Sequence, residues 1–99
     1  MYVLSCSDKS YYCGITTDLD RRLKEHNTSK KGAKYTRSRR PSVLLFFEEY
    51  DSRSAASKAE SAFKKLTRRK KMEYMVRVCE ERHEEEIRLW EARQLKNVD

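Results

Sequence analysis

The sequence predicts a small α/β (α+β) domain, and three observations support this. Two short segments rich in Tyr, Val, Ile and Cys, residues 1–6 and 11–15, flank a polar SDKS turn, as the strands of a β-hairpin do. A continuous apolar run at residues 42–50, bounded by turn residues, indicates a third strand. Apolar residues at helical spacing follow the hairpin and again follow the third strand. The chain of 99 residues, 37% of them hydrophobic, is sufficient for one domain.

The predicted hairpin brings its tyrosines to one face only in one kind of register. Because side chains alternate faces along a strand, Tyr2 and Tyr12 share a face when the numbers of paired residues have an even sum. This requires a turn with an odd number of residues, such as Asp8 to Ser10, or a bulge. A two-residue turn at Asp8 and Lys9 would place the two phenols on opposite faces.

The first helix is predicted to begin near Thr17. Thr17 and Asp20, three positions apart, resemble a capping box, and Asp18 adds negative charge to the first turn.

Residues 27–41 are polar, contain both a glycine and a proline, and have no sustained period, so we expect a long loop with one helical turn. Because residues 42–50 are apolar almost throughout, we expect the central strand of the sheet there, buried on both faces.

A second helix is predicted to begin at a cap formed by Ser54. Its apolar stripe consists of five residues: Ala55, Ala56, Ala59, Phe63 and Leu66. Glu60 lies at the edge of that stripe, where its carboxylate can face a cleft. The alternative is a surface ion pair between Glu60 and Lys64, four residues apart, which contributes roughly 0.2–0.5 kcal/mol.

The carboxyl-terminal part keeps apolar residues at helical spacing but includes the highly polar stretch EERHEEE. This pattern fits either one long helix or a tail that frays. Trp90 is unusual in so charged a segment, and a lone exposed tryptophan often anchors a partner. The alternative is that Trp90 packs back on its own domain.

Charge is distributed unevenly along the chain. The net charge is +7, but residues 1–71 carry 18 Lys/Arg against 8 Asp/Glu, whereas residues 72–99 carry 5 against 8. The basic residues concentrate in two blocks, at 30–40 and 64–71. Each Lys or Arg that meets a phosphate releases condensed counterions, so such blocks favour a polyanion partner. A solvated surface that keeps the protein soluble is an equally good explanation.

Composition also excludes several protein classes. No apolar run approaches the roughly 20 residues that span a bilayer, and the amino terminus lacks the basic-then-apolar order of a secretory signal. We therefore expect a soluble, cytoplasmic protein without a membrane partner. Cys6, Cys13 and Cys79 match neither a disulfide framework nor zinc-ligand spacing, so reduced and mostly buried thiols are expected. An oxidisable pair of Cys6 and Cys13 is the alternative.

Five stretches form a further pattern: Tyr2, YCG at 12–14, DLDRRLKEHN at 18–27, GAKYTRSRRP at 32–41 and AESAFKKLTRRKK at 59–71. In order and spacing they resemble the GIY-YIG nuclease superfamily, above all its small stand-alone bacterial members. The resemblance covers roughly residues 1–76 and leaves 77–99 as a helical extension or tail. It implies a small three-stranded antiparallel sheet flanked by helices.

The resemblance also implies an active site. The two motif tyrosines, the catalytic arginine, a histidine one helical turn later and the metal-binding glutamate correspond to Tyr2, Tyr12, Arg22, His26 and Glu60. The chain departs from the family pattern at Lys9, which replaces the glycine usual in the hairpin turn. It also departs at residues 61–66, which offer no clear partner for the asparagine that assists some homing enzymes.

The activity implied by the resemblance is metal-dependent endonucleolytic hydrolysis of DNA, directed by DNA structure, in repair or recombination. Glu60 would hold one Mg²⁺ or Mn²⁺ through a hard oxygen, and Arg22 would contact the scissile phosphate. Tyr2 or Tyr12 would orient or deprotonate the attacking water, and the sequence leaves open which. A free phenol titrates near about 10, so its ionisation at neutral pH needs help from a neighbouring charge.

DNA contacts are expected from side chains in and near the two basic blocks: Lys34, Tyr35, Arg37, Arg39, Arg40, Lys64, Lys65 and Arg68. His26 and Lys34 are further candidates for phosphate contact or proton transfer, with surface or helix-packing roles as the alternative. A non-catalytic nucleic-acid-binding module on the same fold is the alternative function. Besides DNA, the expected partners are a separate DNA-binding protein or a second copy of the chain through residues 77–99.

Overall fold

The computed structural model describes residues 1–96, with side chains through residue 93. Its elements, in chain order, are β1 (Tyr2–Ser5), β2 (Tyr11–Gly14), α1 (Leu19–Thr28), α2 (Lys34–Arg37), β3 (Val43–Phe47), α3 (Arg53–Lys64) and α4 (Arg68–Lys96). The chain divides into two compact units, of which the first comprises residues 1–65 and the second begins at Leu66. The first unit therefore holds the sheet and α1 to α3, and the second holds α4.

The sheet has the order β2-β1-β3, and both of its ladders are antiparallel. The prediction of an antiparallel sheet is confirmed, but the prediction that residues 42–50 form its central strand is wrong. β1 is central and is buried at Tyr2, Val3 and Leu4, whereas β3 is an edge strand in which Val43 is 63% exposed. A bulge explains the apolar run: Val3 pairs with Phe46 and Leu4 with Leu44, so Leu44 and Phe46 face opposite sides of the sheet.

The hairpin has the register that brings the tyrosines together. Tyr2 pairs with Gly14 and Leu4 pairs with Tyr12, so every paired sum is even and the expectation of a common face is confirmed. The Cys6 N–H donates to the Ser10 carbonyl at 2.9 Å, which closes a loop of three residues. The loop has an odd number of residues, as the shared face requires.

Lys9 is the last residue of this loop and has a φ of +67°, in the left-handed region. A side chain costs about 1–2 kcal/mol in that region, whereas a glycine adopts it freely. We expect Lys9→Gly to raise the free energy of unfolding by about 0.5–1 kcal/mol, measured by urea denaturation. Lys9→Ala removes the same long side chain but keeps Cβ, and it should not stabilise. Equal stability of the two variants would contradict this account.

Both long helices of the first unit begin at caps other than the predicted ones. The cap of α1 is Asp18, whose carboxylate accepts from the Arg21 N–H at 3.1 Å, and not Thr17. The cap of α3 is Ser52, which accepts from the Ala55 N–H at 3.1 Å, and not Ser54. Asp18 and Ser52 each have extended backbone, which directs the side chain back over the first turn. α3 packs against β2 and buries Phe63.

The loop between α1 and β3 contains one helical turn, α2, as predicted, and it is anchored to the end of α1. The Arg40 guanidinium donates from Nε to the His26 carbonyl at 2.7 Å and from Nη2 to the Ser29 carbonyl at 2.6 Å. Gly32 lies so close to α1 that an added Cβ would be 2.6 Å from the Glu25 carbonyl oxygen. The hydrogen bonds of Arg40 and the close approach of Gly32 together hold the loop against the end of α1.

Arg40→Ala should lower the free energy of unfolding by about 2 kcal/mol, because hydrogen bonds from a charged group are lost at half-buried carbonyls. Urea denaturation measures the change. Arg37→Ala is the matched control, since Arg37 is an exposed arginine of the same loop, and it should stay within about 0.5 kcal/mol of wild type. Similar losses in both variants would contradict a capping role for Arg40.

The second unit is dominated by α4, which runs for 29 residues and crosses the predicted boundary at residue 76 without a break. Residues 77–96 therefore form a helix, and residues 97–99 lie outside the described part of the chain. Several large apolar side chains of α4 are exposed: Met72, Val76, Ile87, Leu89 and Trp90. None of the helices within residues 1–96 is long and apolar enough to cross a membrane.

Candidate active site

A buried hydrogen bond joins the first strand to the first helix. The Tyr2 hydroxyl of β1 lies 2.6 Å from Nε2 of His26, near the end of α1. Tyr2 is 2% exposed and His26 is completely buried. A short bond between two buried polar groups fixes both rings, because losing either partner would leave a desolvated polar atom unpaired.

Thr36 of α2 completes the hydrogen bonds of the histidine. Its hydroxyl lies 2.7 Å from His26 Nδ1 and donates to the Ala33 carbonyl at 2.9 Å. The Ala33 N–H lies 3.4 Å from the same Nδ1, so this ring nitrogen has two polar neighbours, and Nε2 has the Tyr2 hydroxyl. Both ring nitrogens of His26 are therefore held by hydrogen bonds inside the fold.

The pKa of His26 is lowered to about 4, mainly by burial and also by the positive charges of Arg22 and Arg40, while Glu25 opposes the shift. The unfolded chain takes up this proton below about pH 6.5, whereas the folded protein resists it until about pH 4. We expect stability to be complete above pH 6.5 and to fall by about 3 kcal/mol as the pH drops to 4.

Urea denaturation across this pH range measures the loss, and an NMR titration of the His26 ring measures the pKa directly. A His26 pKa at the ordinary value near about 6.5 would contradict the buried network.

Arg22 also lies near Tyr2. Its guanidinium donates from Nη1 to the Lys31 carbonyl at 2.8 Å. The pKa of Tyr2 is raised to about 12, mainly by burial and also by Tyr12, while the positive charge of Arg22 opposes the rise. Tyr2 therefore stays protonated at neutral pH, in a hydrogen bond with His26 Nε2 and with the charge of Arg22 close by.

Tyr12 lies beside this pair and is less buried than Tyr2. Its ring centroid is 6.3 Å from that of Tyr2 and 5.0 Å from that of His26. Tyr35 stacks on Tyr12 at 6.1 Å, and the Arg39 guanidinium lies 3.8 Å above the Tyr35 ring. These stacked groups connect the hairpin to the loop and form one wall of the site.

Gly14 provides the space for the Tyr2 hydroxyl. A Cβ at this position would lie 2.6 Å from the Tyr2 oxygen, well inside van der Waals contact. The second tyrosine motif thus needs its glycine because the first motif's phenol lies over it.

Glu60 lies apart from this hydrogen-bonded cluster. Among the described residues its ion-pair partner is Lys64, at 3.4 Å, as in the predicted surface alternative, and its side chain is 24% exposed. Tyr2 and Ala56 both line a cleft of about 650 Å³, and neither Glu60 nor Arg22 is among its lining residues. Glu60 follows Ala56 by four residues, so it lies on the same face of α3, one turn further along.

Comparison with known proteins gives the family. The model of the GIY-YIG catalytic domain matches residues 1–74. The chain belongs to the GIY-YIG family. Small bacterial proteins named UPF0213 are similar to it: one from Listeria monocytogenes is 52% identical over 80 residues, covering 81% of this chain and 88% of the relative. A relative from Enterococcus faecalis is 55% identical over 76 residues, covering 75% and 85%. No solved structure gives a significant match.

Membership confirms the family resemblance seen in the sequence and places the chain among nucleases. The GIY-YIG domain implies DNA as the substrate, and enzymes of this family commonly use divalent metals. The names of the UPF0213 relatives state no activity.

The structure separates the predicted DNA-contacting residues into two groups. Six are exposed: Lys34, Tyr35, Arg37, Lys64, Lys65 and Arg68. The other two, Arg39 and Arg40, are half-buried, and Arg40 is engaged by backbone carbonyls at the end of α1. Arg39 forms an ion pair with Asp8 at 2.9 Å.

Nothing in the sequence singled out Thr36, which is completely buried and holds Nδ1 of the histidine. A threonine in a polar loop without periodicity carries no signal of burial. The capping role of Arg40 could not be predicted either, because an arginine in a basic block is expected to contact solvent or phosphate and not backbone carbonyls. Both roles depend on contacts between segments distant in sequence.

Proposed function

We propose that this chain is a metal-dependent endonuclease that hydrolyses phosphodiester bonds in DNA and is directed by DNA structure, in repair or recombination. The observation that supports this best is the row of Arg22, Tyr2 and His26, in which Tyr2 is hydrogen-bonded to His26 and Arg22 lies near Tyr2, with Tyr12 beside it. A guanidinium held at a fixed position next to a reachable phenol suits a phosphate and an attacking water.

The two tyrosines take different roles in this proposal. Tyr2 is almost fully buried and its pKa is raised to about 12, so it serves as a positioning residue that holds Arg22. Tyr12 is only half-buried and would orient the attacking water. Arg22 contacts the non-bridging oxygens as negative charge builds on them. Water attacks phosphorus, the bond to the 3′ oxygen breaks, and that oxygen leaves.

The residues present fit a divalent ion at Glu60. A single carboxylate with hard oxygens suits Mg²⁺ or Mn²⁺, because such an ion keeps several of its waters when bound. One ion held by one carboxylate is the proposed stoichiometry, and the described residues contain no group of three or more His, Cys, Asp or Glu that could hold a metal ion. Lys64 is 53% exposed and can move aside. When bound, the ion stabilises the charge on the leaving oxygen.

The basic loop supports DNA as the polyanion. The Lys31 carbonyl accepts from Arg22 at 2.8 Å, so the segment that carries Lys34 and Arg37 is held close to the phosphate-binding residue. Both of those side chains are exposed and available to neighbouring phosphates. The proposal places the protein in the cytoplasm, where its three free cysteines would stay reduced.

The test is incubation of the protein with branched, flapped, nicked and plain duplex DNA in Mg²⁺, Mn²⁺ or EDTA. We expect cutting of branched or flapped DNA with either metal and none in EDTA. Gel shifts without cutting under every condition would favour the non-catalytic binding module. Cutting in EDTA would contradict a metal requirement.

Self-association is a second proposal, about partners and not about catalysis. Trp90 is 58% exposed on α4, with Ile87 and Leu89 also exposed nearby. A large exposed apolar group on a charged helix fits a contact with a second copy or with a separate DNA-binding protein. Sedimentation at several concentrations distinguishes these, since a strict monomer would exclude the first.

A further inference from the structure

Two rings that differ in burial adjoin Tyr12. The centroid of the His26 ring lies 5.0 Å from that of Tyr12, and His26 is completely buried. The Tyr35 ring stacks on Tyr12 with an interplanar angle of 24°, and Tyr35 is 37% exposed. Because His26 is fixed by its own hydrogen bonds, the position of the Tyr12 phenol depends on how firmly Tyr35 is held.

Arg39 holds Tyr35 at both its ring and its backbone. The guanidinium carbon lies 3.8 Å from the centroid of the Tyr35 ring, and Nη1 donates to the Tyr35 carbonyl at 3.0 Å. A guanidinium over a ring adds cation–π attraction to its hydrogen bonds. The helix that carries Tyr35, α2, has four residues and no side-chain cap at Ala33, so contacts from outside it supply its support.

The hairpin turn anchors Arg39 in its place. Nε donates to the Asp8 carboxylate at 2.9 Å, and the Arg39 carbonyl accepts from the Ser7 N–H at 3.0 Å. Hydrogen bonds from the hydroxyl and the N–H of Ser10, together with the charge of Arg39, hold the pKa of Asp8 below its ordinary value. Asp8 is therefore ionised at neutral pH, and it connects the turn before β2 to the ring stacked on Tyr12.

We infer that Asp8, Arg39 and Tyr35 form a clamp that positions Tyr12 for the reaction. The inference rests on the proposed function, in which Tyr12 orients the attacking water. It assigns Tyr35 and Arg39 to Tyr12 and not to DNA, because the guanidinium is already bound to a carboxylate and stacked on a ring. A displacement of about 1 Å can slow a reaction roughly 100-fold, so loss of the clamp should lower kcat.

The first test separates kcat from KM in two variants of Tyr35. Tyr35→Ala removes the stacked ring, and its kcat on branched or flapped DNA in Mg²⁺ should fall roughly tenfold with KM within about twofold of wild type. Tyr35→Phe keeps the ring and should have a kcat within about twofold of wild type. A raised KM with unchanged kcat in Tyr35→Ala would indicate a DNA contact and overturn the clamp. An unchanged kcat in Tyr35→Ala, or an equal loss in Tyr35→Phe, also overturns it.

Asp8→Asn distinguishes the clamp from an effect of charge on DNA binding. Loss of a carboxylate favours binding of a polyanion, whereas a loosened clamp slows cutting. Asparagine keeps the turn, because its side-chain oxygen also accepts from the N–H two residues on. We expect kcat to fall roughly threefold, as suits an exposed ion pair, without a rise in KM.

Asp20→Asn is the matched control for this variant. Asp20 is an exposed carboxylate in the first turn of α1, so its replacement removes the same charge and should leave kcat unchanged. An unchanged or raised kcat in Asp8→Asn, or equal losses in the two variants, overturns the role of Asp8.

A measurement without cutting separates the clamp from the nuclease function. We expect the NOE between the Tyr12 and His26 rings in NMR spectra of the full chain to weaken in Tyr35→Ala and to persist in Tyr35→Phe. An unchanged NOE in Tyr35→Ala overturns the clamp, whatever the activity of the variant. Absence of cutting by the wild-type protein overturns the proposed function, and the NOE comparison then decides by itself whether the clamp holds Tyr12.

Discussion

Glu60→Ala is expected to cut DNA roughly 100- to 1,000-fold more slowly than wild type while folding normally. The truncation removes the carboxylate proposed to hold the divalent ion, so the ion no longer stabilises the negative charge that develops on the leaving oxygen. Its effect on folding should be small, because the lost partner is Lys64 in an exposed pair worth roughly 0.2–0.5 kcal/mol. Initial rates of cutting in Mg²⁺ measure the first effect, and urea denaturation measures the second.

Glu73→Ala provides the matched control for this variant. Glu73 forms an ion pair with Arg69, four residues away on α4, at 3.1 Å, much as Glu60 does with Lys64 on α3. It should cut DNA at the wild-type rate. Equal cutting by wild type and Glu60→Ala would indicate a contaminating nuclease and would contradict a metal site at Glu60. Equal losses of activity in Glu60→Ala and Glu73→Ala would indicate a general effect of lost negative charge.

The hairpin could be predicted from the sequence because its geometry follows local rules. The alternation of side chains along a strand and the three-residue turn together determine that Tyr2 and Tyr12 share a face. The same local reasoning placed one helical turn in the long loop. These features depend on residues within a few positions of one another, which a single sequence displays.

Features that depend on distant contacts could not be predicted in the same way. A bulge in the β1–β3 ladder sends Leu44 and Phe46 to opposite faces, and this made an edge strand look like a buried central one. Helix caps were misplaced by one or two residues because neighbouring positions offered equivalent side chains. Asp18 and Ser52 have extended backbone that only the fold around them determines.

The candidate site shows the same division. The motifs identified Tyr2, Arg22 and His26 as candidates, but they did not show that a buried hydrogen bond joins Tyr2 to His26. Nor did the sequence distinguish the two tyrosines, which the structure separates by burial. Thr36 holds Nδ1 of His26, so the position of the ring depends on a residue that lies within the GAKYTRSRRP stretch but was not singled out there.

Arg22 would have two tasks, since it would bind the scissile phosphate and it also ties α1 to the basic loop. Its guanidinium donates to the Lys31 carbonyl at 2.8 Å and pairs with the Glu25 carboxylate at 3.5 Å. A lysine at this position keeps the positive charge but has a single ammonium in place of a planar fork. It cannot serve both partners and still present two donors to a phosphate.

We therefore expect Arg22→Lys to cut DNA roughly 100-fold more slowly than wild type, with the loss mainly in kcat, because the fork acts on charge that develops in the transition state. Arg21→Lys is the matched control: Arg21 is the adjacent arginine but is exposed on α1, and its replacement should leave the rate within about twofold. Single-turnover rates at saturating protein measure both variants. A wild-type rate in Arg22→Lys would show that positive charge alone suffices and that the row of Arg22, Tyr2 and His26 does not organise the reaction.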